Sequence, residues 1–148
     1  MIWTLKSFDE LTPKEVYAIL QLRNEVFIVE QNCPYQDCDN KDLYAVHLMG
    51  MDEDTLLAYS RLLAPGISYR ESSIGRVVSS PSARKTGIGK KLMEESIKQI
   101  LHLFKTDTIR IGAQLYLKKF YESFGFIQDG EMYLEDNIPH IIMLRKPK

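Results

Sequence analysis

The chain has 148 residues, 45% apolar and 26% charged, a balance that suits one globular domain with its own core and excludes a disordered chain. Its 19 Lys and Arg against 20 Asp and Glu give a net charge of −1, without the basic excess expected of a dedicated nucleic-acid binder. Two cysteines, Cys33 and Cys38, are too few for a disulfide scaffold or a four-thiolate zinc site, and no apolar run approaches the roughly 20 residues of a membrane span.

Residues 2–7 read as a first strand and lack the basic-then-apolar order of a signal peptide, so a cytoplasmic location is expected. Thr12-Pro13-Lys14-Glu15 is a helix start: Thr12 caps, Pro13 fits the first helical position, and Glu15 closes a capping box. Val16, Ile19, Leu20, Arg23 and Phe27 then recur at helical spacing, an apolar stripe with one cation set in it. Residues 32–42, with Pro34 among acids and amides, form a loop. Residues 45–51 and 55–64 read as strands joined by a polar turn, and 73–79 as a further strand stopped by Ser80-Pro81-Ser82. A long helix over 87–104 places Ile88, Leu92, Met93, Ile97, Ile100, Leu101 and Phe104 on its buried side. A short central strand at 108–113, a helix at 118–124 ended by Gly125, and strands at 132–135 and 140–145 follow. The order β-α-β-β-β-α-β-α-β-β predicts one α/β domain over residues 1–148.

The most informative stretch runs Val77-Val78-Ser79-Ser80-Pro81-Ser82-Ala83-Arg84-Lys85-Thr86-Gly87-Ile88-Gly89-Lys90-Lys91: a strand, a short loop, two glycines two apart, then the long helix. Glycine lets a backbone approach a bulky group closely. The unpaired amides of a helix start, with the helix dipole, favour an anion there. Arg84, Lys85, Lys90 and Lys91 add positive charge, so the stretch reads as a phosphate cradle. A Walker A loop fails twice, with Arg84 where its first glycine belongs and Lys91 where its hydroxyl belongs. A dinucleotide fingerprint also fails, since Leu92 replaces its third glycine and the next strand lacks the terminal acid.

Arg84, Gly87 and Gly89 instead form Arg-x-x-Gly-x-Gly after a Val-Val strand, which resembles the pyrophosphate loop of the GNAT N-acetyltransferase superfamily. Some thirty residues on, Gln114-Leu115-Tyr116-Leu117-Lys118-Lys119-Phe120-Tyr121-Glu122-Ser123-Phe124-Gly125-Phe126 looks like that superfamily's second motif. The segments 26–35, 39–42, 45–48 and 138–140 are similar to its ElaA-like branch. Lys85 stands where the family often has glycine. The resemblance implies a GNAT fold: a mixed, mostly antiparallel twisted sheet of six to seven strands flanked by helices and splayed at a central parallel pair. It implies acetyl-CoA as co-substrate, bound by Val77, Val78, Ser79, Arg84, Lys85, Thr86, Gly87, Ile88, Gly89, Lys90, Gln114 and Tyr121. No metal is expected, because Cys33, Cys38 and a distant His47 lack a fourth ligand.

By the same resemblance, an amide near Val78 polarises the thioester carbonyl, Tyr121 protonates the leaving thiolate, and the acetyl group passes directly to a primary amine of a small molecule or peptide. For the general base the candidates are Glu30, Asp42, His47, Glu135 and His140. Glu30 and His47 are preferred, Glu30 because partial burial would raise its pKa. Asp37, Asp39 and Asp42 form an electronegative lip for a cationic amine. Each of these has a plainer reading: Tyr121 as a core aromatic, the histidines as structural, Glu30 as the partner of Arg23, the acids as a solvated edge. A non-catalytic CoA-binding sensor or protein-interaction module on the same fold is the alternative function. No nucleic acid or membrane is expected as a partner, and the C-terminal edge strands offer pairing across a homodimer.

Overall fold

The computed structural model describes residues 1–106 and 108–147. Strand β1 (Ile2–Ser7) leads through a short 3-10 turn into α1 (Pro13–Arg23). The Thr12 hydroxyl accepts from the Glu15 amide and Glu15 reaches back to the Thr12 amide, closing the box its sequence predicts. From Asn24 to Glu30 the helix widens into a π-helical turn. The buried positions are Ile19, Leu22, Arg23 and Val26, so Leu22 and Val26 take the central places expected for Leu20 and Phe27. The face is set by Arg23, whose fully buried side chain is held by the loop that follows.

Strands β2 (Val46–Asp52), β3 (Thr55–Leu63) and β4 (Ser73–Ser79) complete an antiparallel sheet in the order β1-β2-β3-β4. Successive side chains on β2 point to opposite faces. Met49 therefore packs with Ile19 and Leu22 of α1, while Leu48 packs with Ile88 and Leu92 of α2 (Ile88–Phe104). The two helices cover opposite faces of this sheet. On α2 the buried stripe is Ile88, Leu92, Met93, Ser96 and Ile100. Ser96 sits mid-face because its hydroxyl meets that of Ser60 at 2.8 Å, and Leu101, expected inside, lies off the stripe at 52% exposure.

A second antiparallel group holds β5 (Ile109–Gln114), β6 (Ile127–Gln128), β7 (Tyr133–Glu135) and β8 (Ile138–Arg145), with α3 (Lys118–Glu122) packed beside it. The two-residue β6 is absent from the sequence-based order and brings the strands among the described residues to eight. The groups meet at one parallel bridge, Ser72 to Ile109, with the Arg110 amide donating to the Ser72 carbonyl at 2.9 Å. Beyond it β4 and β5 part. Below the join, Leu62 and Ile74 share a core with Met93, Ile100, Ile109, Ile111, Ile141 and Met143.

Candidate active site

The parting of β4 and β5 begins with a local irregularity. The β3–β4 register slips between Tyr59 and Arg61, where Arg76 takes a φ of +50°. A bulge of this kind adds twist and turns the strand from its neighbour. The Ser80 amide donates to Leu57 at 2.8 Å, so by the two-residue alternation of an antiparallel ladder Val78 also turns its amide toward β3. Val77 and Ser79 turn theirs to the open side. The donor expected near Val78 is thus assigned by the ladder to its two neighbours.

A cleft of about 770 Å³ fills the gap. Val77, Val78, Ser79, Arg84, Gly89, Gln114 and Tyr121 line it. At its Gly89 end, Lys85 and Gly87 both adopt left-handed backbone, φ +66° and +82°, and turn the chain sharply into α2. The first helical bond is Lys91 amide to Gly87 carbonyl, which leaves the amides of Ile88, Gly89 and Lys90 without helical acceptors. Among the described residues no side chain caps this helix start. The Thr86 hydroxyl ties the loop to the Ala83 carbonyl. Among the described residues a Cβ on Gly89 would meet only Phe120 Cζ, at 3.9 Å, so nothing in them demands glycine there. The donor set and the open cradle fit a diphosphate.

Tyr121 is buried, and burial pushes its phenol well above the ordinary range. Its ring packs edge-on against Phe120 and Phe126, while its hydroxyl has no hydrogen-bond partner among the described residues. The phenol therefore keeps its proton at neutral pH. The Gln114 side-chain amide donates to Gln31 at 3.1 Å, tying the end of β5 to the π-helical turn across the cleft.

The two preferred bases behave otherwise than expected. Glu30 is exposed and bound to Arg84 through both oxygens, at 2.7 and 2.9 Å. The Arg84 bonds hold its carboxyl below the usual range, the reverse of the burial effect expected. Arg23, the partner suggested by sequence, pairs with Asp37 and Asp42 instead. His47 is buried outside the cleft, its Nδ1 2.7 Å from the Tyr59 hydroxyl and its Nε2 2.9 Å from the Asp42 carbonyl. Desolvation lowers its pKa and keeps it neutral.

The acidic lip does not form either. Asp37 pairs with Arg23 and Arg76, Asp39 with Arg61 and Arg76, and Asp42 with Arg23 and Arg61. Three carboxylates and three guanidinium groups cancel. The cause is Arg23 and Arg61: buried cations need partners, and the loop supplies them. Cys33 is buried and Cys38 exposed, both unpaired, and no group of three or more metal-ligating side chains converges among the described residues. Among those residues no helix is long and apolar enough to cross a membrane.

Residues 11–146 match the family profile described as Acetyltransferase (GNAT) domain. The chain belongs to the GNAT acetyltransferase family. It is 42% identical over 146 residues to protein ElaA of Escherichia coli K12, covering 97% of this chain and 95% of that one. The crystal structure of E. coli ElaA superposes with a TM-score of 0.90 over 99% of this chain and 100% of the other. That of an acyl-CoA N-acyltransferase from Pseudomonas aeruginosa gives 0.92 at 47% identity, over 98% and 99% of the two chains. An aminoglycoside 6'-N-acetyltransferase complexed with coenzyme A shares the fold at 18% identity, TM-score 0.68, over 98% and 96%. The chain is an ElaA-like member of the GNAT acyltransferases, a family that uses an acyl-CoA and an amine acceptor.

Among the cleft residues that the sequence reading did not single out as site residues are Gln31, Tyr69 and Tyr133. For Tyr133 a signal existed. Asp136 and Asn137 both take left-handed backbone between β7 and β8, a two-residue hairpin turn that pairs Tyr133 with His140.

Proposed function

We propose that residues 1–148 form a single-domain, acetyl-CoA-dependent N-acetyltransferase that passes the acetyl group directly to a primary amine of a small molecule or peptide. The observation that carries this reading is the run of unpaired amides over residues 88–90, beside a glycine whose Cβ space is left open, at one end of a cleft that Tyr121 lines. Arg84 and the amides of residues 85–90 hold the diphosphate, and the open edge of β4 at Val77 and Ser79 takes the pantetheine arm. A donor fixed on that edge stabilises the carbonyl oxygen as it gains negative charge. Tyr121 supplies the proton that the departing thiolate takes up. No covalent enzyme intermediate is needed.

Tyr121→Phe tests the reading. Its hydroxyl has no hydrogen-bond partner among the described residues, so the variant folds normally and binds acetyl-CoA as the wild type does, while thiol release with an amine falls about 100-fold. Unchanged turnover removes Tyr121 from the reaction. A wild type that gives no calorimetric signal with acetyl-CoA or CoA removes the whole reading.

A further inference from the structure

With Glu30 held by Arg84 and His47 buried with both ring nitrogens engaged, a proton acceptor must come from elsewhere in the cleft. His140 lies in it, on β8, paired with Gln114 at the end of β5 on one side and with Tyr133 of β7 on the other. Its Nδ1 is 2.7 Å from the Ile138 carbonyl oxygen. A carbonyl only accepts, so Nδ1 carries a proton, and in the neutral ring the lone pair therefore lies on Nε2. Glu135 Oε2 lies 3.5 Å from that Nε2. The imidazole stacks on Tyr133, centroids 5.8 Å apart at 28°, which fixes its plane.

The surroundings suit an incoming amine. Gly112 on β5 leaves room for the hydroxyls of Tyr69 and Tyr133: a Cβ there would stand 3.4 Å from the first and 3.1 Å from the second. Burial pushes the Tyr133 phenol up to about 12, and burial with the nearby Glu135 charge raises that of Tyr69, so both stay protonated. Among the described residues, the titratable groups that meet the imidazole are Glu135 and Tyr133 of β7, while Tyr69 of the β3–β4 connection lines the same cleft. Gln114, opposite on β5, is neutral.

Resting on the acetyltransferase reading, we propose that this corner is the acceptor subsite for a primary amine and that His140 Nε2 takes the amine proton. The amine nitrogen forms a bond to the thioester carbon as the carbon–sulfur bond breaks. One amine proton passes to Nε2, the thiolate receives a proton from Tyr121, and solvent returns the imidazolium proton to the tyrosinate. Glu135 is a positioning residue: its carboxylate, 3.5 Å from Nε2, stabilises the imidazolium once the proton has arrived.

The test uses the full chain with acetyl-CoA and two probes, n-hexylamine and tetra-alanine. His140→Asn keeps a donor to the Ile138 carbonyl, so it binds acetyl-CoA within about twofold of the wild type. Its amine-dependent thiol release falls by about 100-fold or more. Glu135→Gln lowers kcat and changes the acidic limb of the pH–rate profile, and Glu135→Asp restores both. Independently of turnover, long-range ¹H–¹⁵N spectra of the wild type place the proton of the neutral His140 ring on Nδ1. Wild-type turnover in His140→Asn overturns the proposal while the acetyltransferase reading stands, and so does a neutral ring protonated at Nε2. A wild type that does not bind acetyl-CoA overturns the acetyltransferase reading, and this proposal with it.

Discussion

Gly89→Ala pulls stability and ligand affinity in opposite directions. Gly89 lies in the first turn of α2 with ordinary helical backbone, and an added Cβ would find only Phe120 Cζ at 3.9 Å, a normal van der Waals contact. Alanine exceeds glycine in a helix by up to about 1 kcal/mol, and about half of that is expected so near the end. At roughly 2–4 °C per kcal/mol for a chain of this size, the ligand-free melting temperature rises by about 1–2 °C. The same methyl enters the space where a diphosphate must approach the amides of residues 88–90. Loss of one hydrogen bond to a charged group costs about 1.5–3 kcal/mol, or about 10- to 150-fold in Kd for CoA. Thermal melts without ligand and calorimetric titration with CoA read the two terms separately. A variant that melts higher and binds CoA as tightly as the wild type would refute the cradle. One that melts several degrees lower would refute the claim that the fold leaves this space free.

Glu30→Gln removes the competitor that holds Arg84. The pair is exposed and worth about 0.2–1 kcal/mol, so CoA binds about 1.5- to 5-fold more tightly in titration, and weaker binding would place Glu30 among the ligand's own contacts. Arg23→Ala strips a buried cation from Asp37 and Asp42 and is expected to cost about 3–5 kcal/mol, a fall of about 6–20 °C in the melting temperature; a loss under about 1 kcal/mol would show the network to be incidental. The same network sets an acid limit. Burial alone would raise the Asp39 carboxyl, but the Arg61 bonds prevail and hold it at about 2, and those from Arg23 and Arg61 likewise depress Asp42. Folded values below the unfolded value of about 4 mean this stability is present above about pH 4 and drains away toward pH 2. Urea midpoints measured from pH 6 to 2 should fall over that window, and a flat profile there would contradict it.

The features legible in the sequence are those written within a few residues. The Thr12–Glu15 box closes as its spacing dictates, and residues 84–90 fold into a sharp turn because the chain can take left-handed backbone at both Lys85 and Gly87. The family resemblance implies glycine at the Lys85 position, and a φ of +66°, which glycine adopts most readily, gives a physical reason for it. What stayed hidden depends on partners far along the chain. Glu30 looked like a base flanking an apolar face, and only the fold brings Arg84 to it across 54 residues. Leu101 shares the period of its helix but lies beyond the edge of the stripe that Ser96 centres. His140 was one histidine among several candidates until a two-residue hairpin fixed its neighbours.

The cancelled acids also bear on how the cleft stays open. Positive φ at Arg76 is strain of about 1–3 kcal/mol in a residue with a side chain. The Arg76 guanidinium meets it with bonds to Asp37 Oδ1 at 2.8 Å and to the Asp37 carbonyl at 2.9 Å, and lies over the Tyr35 ring. Asp37 in turn holds Arg23 of α1, and Asp42 joins Arg23 to Arg61 of β3. Loop, helix and both strands are thereby clamped on the β4 side of the gap, and the bulge that turns β4 from β5 is held by charge pairs rather than by sheet hydrogen bonds. The clamp has a chemical consequence. With Glu30 and Asp39 committed to arginines, the carboxylates left along the cleft are those of Glu135 and Asp136, at the β7–β8 turn beside His140. On the acceptor reading proposed above, a cationic amine entering the cleft would be drawn to that corner, at the end of β5 from which the chain runs on to Tyr121.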